Sequence, residues 1–169
     1  MRHSNVFNDN QGFTILEALI VVVFIGILGA MAGPSYFAWS QRRTVESAIT
    51  NIEGAIKEAQ RQAISRSRTC NVTLDTATPR VRSTTTNVNC LLTGDRTLSN
   101  VSLAASATAV DFDYLGNSSM SITVVVAPTA NASSDNFRKC LVLSTPLGLI
   151  RTGNYTGASG TTAPASCTQ

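Results

Sequence analysis

Two aspartates separated by one residue, Asp111 and Asp113, are the clearest pair of groups in this chain that could do acid–base chemistry. In a strand both carboxylates would lie on one face, where such a pair can bind Ca²⁺ or transfer protons. At this spacing they are far more often solvated strand residues. The single histidine, His3, lies near the N-terminus, so the rest of the chain lacks the usual Ser–His or Cys–His pair. We therefore predict no catalytic residue, no cofactor and no metal site.

Four cysteines are present, Cys70, Cys90, Cys140 and Cys167. An even number in an exported domain indicates two disulfide bonds, with three possible connectivities. We favour Cys70–Cys90 and Cys140–Cys167, because these pairs close loops of about 20 and about 27 residues, each bridge being worth about 3 kcal/mol in the chain-entropy model. The alternative is free buried thiols. Zinc binding is disfavoured because no Cys-x-x-Cys pair occurs.

Glu17 is a single carboxylate near the start of a long apolar stretch, and the next charged residue is Arg42. The stretch exceeds the roughly 20 apolar residues that span a bilayer as a helix. A charge inside a membrane segment costs about 2.5–3.5 kcal/mol at mid-helix and less near its end. Glu17 is therefore a functional candidate that needs a partner.

Two interpretations of this stretch compete. In the first it is a secretory signal peptide with a basic start at Arg2 and cleavage after Ala32, but this places Glu17 in what should be a purely apolar core. In the second the chain is cleaved between Gly12 and Phe13. The pattern Gly-Phe-Thr-x-x-Glu before an apolar helix resembles the class III leader of type IV pilins and pseudopilins, and we favour this interpretation.

The resemblance implies that an inner-membrane prepilin peptidase cuts after Gly12 and N-methylates the new N-terminus at Phe13. It also places Pro34 where major pilins often carry a proline that kinks the helix. The amine of Phe13 lies about one helical turn from Glu17, so it could pair with its own carboxylate or with that of a neighbouring subunit. Either pairing lowers the cost of burying the charge, and the resemblance assigns Glu17 a role in assembly.

The length of 169 residues permits one modest domain plus a membrane helix. Charged residues make up only 14% of the chain, a composition common in exported bacterial proteins. The net charge of +3 survives cleavage after Gly12, because Arg2 and Asp9 leave together, and it does not by itself indicate a nucleic-acid partner. The balance of basic residues leaves the membrane orientation ambiguous; the pilin interpretation keeps the leader cytoplasmic and exports the rest.

The apolar pattern predicts one long α-helix from about Thr14 to Arg66, bent near Gly33-Pro34. Its second half carries apolar residues three and four apart, the spacing of one helical face. The members of this stripe are Val45, Ala48, Ile49, Ile52, Ala55, Ile56, Ala59, Ala63 and Ile64. The polar residues are expected mainly on the other sides, namely Glu46, Glu53, Lys57, Glu58, Arg61 and Gln62.

Seven short β-type runs follow the helix and are separated by turn residues. They are Cys70–Asp75, Arg80–Ser83, Val88–Leu92, Ala109–Tyr114, Ile122–Ala127, Lys139–Ser144 and Leu149–Thr152. Their spacing predicts an antiparallel sheet wrapped on the helix, hence an α+β class. Together with the resemblance of the leader, this implies the type IV pilin fold. The expected divisions are the leader (1–12), the hydrophobic helix (13–41), the amphipathic helix (42–68), the β domain (69–153) and a tail (154–169), loose unless Cys167 ties it down.

Further stretches resemble the GspH/FimT group of minor pilins. They are Ala59–Arg66 leading to Cys70–Leu74, Phe112–Gly116, and Cys140–Ser144 with Gly148 and Arg151. Some FimT-type pilins capture DNA through a basic Gly-Arg-x-Arg hairpin, but here Leu149 replaces the first arginine. Arg138, Lys139 and Arg151 are the candidate DNA contacts, and three charges give weak, salt-sensitive binding.

The resemblance therefore implies a non-enzymatic minor pilin or pseudopilin. Such a subunit is held in the inner membrane by a single pass, with its C-terminal domain in the periplasm, and then initiates or caps a type IV pilus or a type II secretion pseudopilus. Its expected partners are other pilin subunits, the prepilin peptidase and the inner-membrane assembly platform. The sequence does not choose between pilus and pseudopilus, and DNA capture stays the alternative function.

Overall fold

The computed structural model describes residues 12–84, 90–129 and 137–169, without the side chains of residues 31–34. Two units are distinguished, one ending at Trp39 and the other comprising Ser40–Gln169. Helix α1 (Ile15–Arg66) belongs to both, and its bounds agree with the prediction to one residue.

Both ends of α1 are closed by local hydrogen bonds. Thr14 precedes the helix, and its Oγ1 accepts the backbone N–H of Glu17 at 3.2 Å, the spacing of a capping box. At the other end Ser67 adopts a left-handed φ of 50°. There the N–H of Arg68 donates to the carbonyl of Ala63 at 3.1 Å and that of Ser67 to Ile64 at 3.2 Å. This is the Schellman arrangement, with serine in the place that glycine usually takes.

Within the described residues, nine strands form two antiparallel sheets. The first has the order β3-β2-β1-β5 and the second β4-β6-β7-β8-β9. Their bounds are β1 Cys70–Asp75, β2 Arg80–Arg82, β3 Arg96–Thr97, β4 Val101–Ala105, β5 Ala109–Phe112, β6 Ile122–Pro128, β7 Lys139–Ser144, β8 Leu149–Tyr155 and β9 Cys167–Thr168. The α+β prediction is confirmed, although with two sheets where one was expected.

The main core lies between the second half of α1 and the two sheets. The predicted stripe from Val45 to Ala63 is buried there, whereas Ile64, placed on the same stripe, is 49% exposed because the helix ends two residues later. Alternate residues of β1, such as Val72 and Leu74, face this core. The spacing of the stripe thus identified the packed face of α1 except at its last turn.

A second, smaller apolar cluster lies on the opposite face of the second sheet. It consists of Val125, Cys140, Val142, Tyr155 and Cys167. The C-terminal segment reaches this face because the Cys140–Cys167 disulfide and the β8–β9 pairing attach it there. The tail expected to be loose unless Cys167 ties it down is therefore tied.

Candidate functional site

The helical segment after Phe13 exposes almost all of its large apolar side chains. Each is at least 45% exposed, and Phe13 itself is 79% exposed. We call this set the N-terminal apolar segment: Phe13, Ile15, Leu16, Leu19, Ile20, Val21, Val22, Val23, Phe24, Ile25, Ile27 and Leu28. Consecutive residues point in all directions around a helix, so the segment is apolar on every side. Such a helix needs an apolar environment supplied by a membrane or by other helices.

Glu17 lies in the first turn of α1, within this apolar segment. Its carboxylate is exposed, and a negative charge in the first turn is favoured by the helix dipole by about 0.3–1 kcal/mol. The predicted cleavage point, Gly12-Phe13, is exposed and precedes the first helical residue. An exposed peptide bond outside the helix is accessible to a peptidase.

The membrane criterion is met only by a bent pair of stretches. Among the described residues no single helix is long and apolar enough to cross a membrane, but Ile15–Ala30 and Ser35–Arg66 together meet the test by length and composition. Pro34, the predicted kink, lies between these stretches and its side chain is outside the described residues. The kink therefore stays a prediction.

Both predicted disulfides are present. Cys70–Cys90 joins the start of β1 to the segment before β3, and Cys140–Cys167 joins β7 to β9. All four sulfur-bearing side chains are buried. The near-neighbour pairing chosen from loop length is confirmed.

The three candidate DNA contacts do not form one surface patch. Arg138 is 3% exposed, and its guanidinium lies 5.5 Å from the centre of the Tyr155 ring. Lys139 shares the α1-facing side of β7 with Leu141, because side chains alternate along a strand. Arg151 lies opposite Val142, on the outer face of the sheet. Burial of Arg138 and the strand register therefore keep the three residues apart, and their role as DNA contacts stays a prediction.

The two aspartates considered for acid–base chemistry have different local roles. Asp111 accepts a hydrogen bond from Asn71 Nδ2 at 2.8 Å across β1 and β5. Asp113 lies in the following turn and accepts the backbone N–H of Asn117 at 2.8 Å, a hydrogen bond that lowers the pKa of its carboxyl. Within the described ranges no group of three or more potential metal ligands occurs.

Glu58 stabilises the fold, and the helical spacing assigned it to the wrong side of α1. It was expected on a solvated side of α1 but is only 9% exposed. Its carboxylate accepts the backbone N–H groups of Leu92 at 2.7 Å and Thr93 at 3.3 Å, and Arg96 Nη2 donates to its other oxygen. Arg96 also donates to the carbonyl of Asn51 at 2.8 Å. Glu58 and Arg96 therefore attach the segment after Cys90 to the helix.

We expect Glu58→Gln to lower the free energy of unfolding by about 1–3 kcal/mol, because it removes a charged acceptor from a buried set of donors. Burial raises the pKa of Glu58, but the hydrogen bonds from Thr93 and Leu92 and the charge of Arg96 outweigh it, so the pKa is lowered. A lowered pKa means that this stabilisation is complete above the ordinary value of 4.5 and is lost as the pH falls through the folded-state pKa.

Urea unfolding of the full chain in detergent at neutral and acidic pH measures this effect. Glu53→Gln is the matched control, since Glu53 forms an exposed ion pair with Lys57 one turn apart, a kind of pair worth less than about 0.5 kcal/mol. Equal stability of the two variants at neutral pH would show that Glu58 does not attach the segment.

Gln60 was also missed, and it joins two of the stretches that resemble the GspH/FimT group. Its Nε2 donates to the carbonyls of Gly116 at 2.8 Å and Leu147 at 3.2 Å. Gly116 and Gly148 both have positive φ, and a Cβ on Gly148 would lie 2.8 Å from Gln60 Nε2. These two turns therefore meet at the last turns of α1. The signal in the sequence was the amide itself, a polar residue next to the buried stripe.

Comparisons with known proteins agree with this architecture. No family model matches the chain. It is 40% identical over 65 residues to the type IV major pilin protein PilA of Myxococcus xanthus (strain DK1622), covering 38% of this chain and 29% of that protein. It is 43% identical over 54 residues to a fimbrial protein of Pseudomonas aeruginosa, covering 32% of this chain and 34% of that protein. The chain thus spans about a third of the length of the curated relatives it matches.

A solved structure shares the fold. The crystal structure of the type IV minor pilin FimU of Pseudomonas aeruginosa (strain PAO1) aligns with a TM-score of 0.55 at 14% identity, covering 77% of this chain and 99% of that one. At this identity the likeness concerns the fold. The fold predicted from the leader, the long helix and the short strands is confirmed.

Proposed function

We propose that this type IV pilin-like chain is a non-enzymatic minor pilin or pseudopilin. It is cleaved after Gly12 by a prepilin peptidase, N-methylated on Phe13 and held in the inner membrane by a single pass, with its β domain in the periplasm. It then enters a type IV pilus or a type II secretion pseudopilus, which it initiates or caps. Its partners are other pilin subunits and the inner-membrane assembly platform.

The observation that carries this proposal is the N-terminal apolar segment. Twelve large apolar side chains between Phe13 and Leu28 are exposed, with Glu17 as the one carboxylate among them. Apolar surface of this extent is unfavourable in water, at about 25 cal/mol per Å². The same surface is satisfied first by lipid and then by equivalent helices in a filament, so the helix is suited to transfer from one to the other.

Glu17 determines the axial position that an incoming subunit takes in the filament. After cleavage, the amine of an incoming Phe13 can pair with Glu17 of a subunit already in the filament. A buried charge left without a partner is strongly unfavourable, so only the axial offset that pairs the two groups is stable. The pairing fixes register, while the apolar side chains supply most of the contact area.

Leader removal is the first step that can be tested. Gly12→Leu is expected to leave residues 1–12 attached, because a bulky side chain replaces the small residue before the cleaved bond. Intact mass of the protein purified from native membranes detects the retained leader, and N-terminal sequencing of the unaltered protein should begin at Phe13. Gly26→Leu is the matched control, since Gly26 is also exposed but lies within α1, away from the junction.

The secretory interpretation gives the opposite result. Cleavage after Ala32 would yield a product beginning at Gly33 and insensitive to the change at Gly12. That outcome would remove the apolar segment from the mature protein and with it the filament proposal. Deleting the gene and scoring surface piliation and release of exported proteins then separates a pilus subunit from a secretion pseudopilin.

A further inference from the structure

A cluster of three exposed aromatic rings follows the N-terminal apolar segment. Tyr36, Phe37 and Trp39 are 64%, 68% and 53% exposed. The Tyr36 ring lies edge-on to Phe37 at 6.2 Å between centroids and 6.0 Å from the ring of Trp39. We call these residues the aromatic cluster. Three large rings within four residues are costly to leave in water, so they require a specific environment.

Their side-chain types indicate the boundary between lipid and water. Tyrosine and tryptophan each combine an apolar ring with one polar group, and they concentrate at the headgroup level of membranes. In contrast, the residues from Leu19 to Leu28 are aliphatic apart from Phe24 and Gly26. The chain therefore changes from wholly apolar to amphipathic side chains at this point.

The position of the cluster along the helix matches the thickness of a bilayer. From Phe13 to Tyr36 there are 23 steps, which at 1.5 Å per residue amount to about 35 Å. The hydrocarbon core is about 30 Å thick, and tilting of the helix together with the bend between Ala30 and Ser35 accommodates the difference. With the amine of Phe13 at one surface, the aromatic cluster comes to the opposite headgroup region.

The first charged residues after the apolar segment mark the same boundary along the helix. Arg42 and Arg43 are the first charged residues after Glu17 and follow Trp39 within about one turn. Both are exposed. Arginine side chains keep their charged heads in water while their stems lie along apolar surface, and the guanidinium of Arg42 lies 4.9 Å from the centre of the Phe137 ring, so the lipid-embedded part of the helix ends before Arg42.

We propose that Tyr36, Phe37 and Trp39 anchor the helix at the lipid–water interface on the exported side and set the depth of the subunit before assembly. The inference rests on the membrane-inserted precursor of the proposed function. The anchor holds Phe13 and Glu17 near the cytoplasmic surface. Every unassembled subunit therefore holds its apolar segment at the same depth in the membrane.

Trp39 is the only tryptophan in the chain, so its fluorescence reports the depth of the cluster directly. The full chain is reconstituted in phosphatidylcholine vesicles containing a minority of phosphatidylglycerol, with bromine atoms placed on the lipid either near the headgroup or in mid-chain. Headgroup-proximal bromines are expected to quench Trp39 at least twofold more strongly than mid-chain bromines. A depth reference is Leu28→Trp in a Trp39→Phe background, which mid-chain bromines should quench more strongly.

The reference variant separates the two ways of failing. If Leu28→Trp is not quenched by any lipid, the helix is not inserted and the proposed function fails. If Leu28→Trp is quenched but Trp39 is quenched only from mid-chain, or is quenched only by water-soluble acrylamide, the interfacial anchor is wrong while insertion stands. Quenching by acrylamide alone would indicate that the cluster contacts other subunits instead of lipid.

Depth control is tested by removing the rings. Tyr36→Ser and Phe37→Ser are introduced together into the Leu28→Trp, Trp39→Phe chain, with Phe24→Leu as a control that removes an aromatic ring from mid-span. The ratio of headgroup to mid-chain quenching at position 28 is expected to change for the double serine variant and to stay constant for the control. An unchanged ratio in both would show that the cluster does not set depth.

Discussion

Replacing Glu17 with alanine is expected to reduce incorporation of the subunit into filaments by more than about a hundredfold while cleavage after Gly12 proceeds normally. In the filament proposed here, the variant would leave the amine of a neighbouring Phe13 among apolar side chains without a counter-charge. Removing one member of a buried pair costs about 3–5 kcal/mol, and each 1.4 kcal/mol is a factor of ten in an equilibrium constant. A subunit that carries this free-energy penalty is therefore largely excluded from the filament.

Local helix stability cannot account for an effect of this size. Glu17 lies in the first turn, where its charge interacts with the helix dipole for about 0.3–1 kcal/mol. The Thr14 cap, which accepts the backbone N–H of residue 17, is retained in the alanine variant because that bond uses only the main chain. The free-energy penalty expected for assembly is therefore several times larger than any loss of helix stability.

Two comparison variants make the Glu17 experiment specific. Glu17→Gln keeps the shape and removes the charge, so it should fail like alanine if pairing with an amine is the cause. Glu46→Ala removes an exposed glutamate from another part of α1 and should assemble normally. The amount of subunit in sheared filaments relative to membranes is measured by immunoblot, with N-terminal sequencing to verify cleavage. Normal incorporation of Glu17→Ala would contradict the pairing.

The helix was the most predictable element because its signals are local and repeated. Thr14 and Glu17 begin it, and apolar residues at three- and four-residue intervals mark the face that packs. Spacing failed at Glu58, which is next to the stripe and is buried because the segment after Cys90 covers it. That contact joins residues more than 30 positions apart, and no helical periodicity contains such information.

The strands were predictable where alternation is clear and not where pairing alone creates them. β7 was predicted with its observed bounds, whereas β3 and β9 are two residues long and exist because longer strands lie beside them. β4 was missed although Val101 and Leu103 alternate with smaller residues. The segment predicted at 88–92 lies partly outside the described residues, and Cys90–Leu92 is not a strand.

The residues of the candidate site also differ in how well the sequence alone predicts them. The junction at Gly12-Phe13 and the carboxylate of Glu17 are read from neighbouring residues, so sequence is sufficient to nominate them. The basic set of Arg138, Lys139 and Arg151 depended on where side chains point after folding. The register of β7 against β8 places Arg151 opposite Val142, and one shift of register would have reversed that face.

Loss of the Cys140–Cys167 bridge is expected to lower the free energy of unfolding by about 3 kcal/mol and to free the C-terminal segment. The bridge closes 27 residues, for which the chain-entropy model gives an effect of this order. It also holds β9 on β8, and the segment carries one side of the cluster containing Val142 and Tyr155. Without it, that apolar face becomes exposed and the segment after Tyr155 becomes accessible to proteases.

The second bridge provides a control of the same chemical kind. Cys70→Ala with Cys90→Ala also removes one buried disulfide, across 20 residues, so it should lower stability by a similar amount. Its effect is expected at the segment held by Glu58 and Arg96, leaving the C-terminal segment protected. Limited proteolysis with mass identification distinguishes the two. If both variants were cleaved at the same sites, each bridge would be stabilising the whole fold rather than its own segment, and the local attachment inferred for Cys140–Cys167 would be wrong.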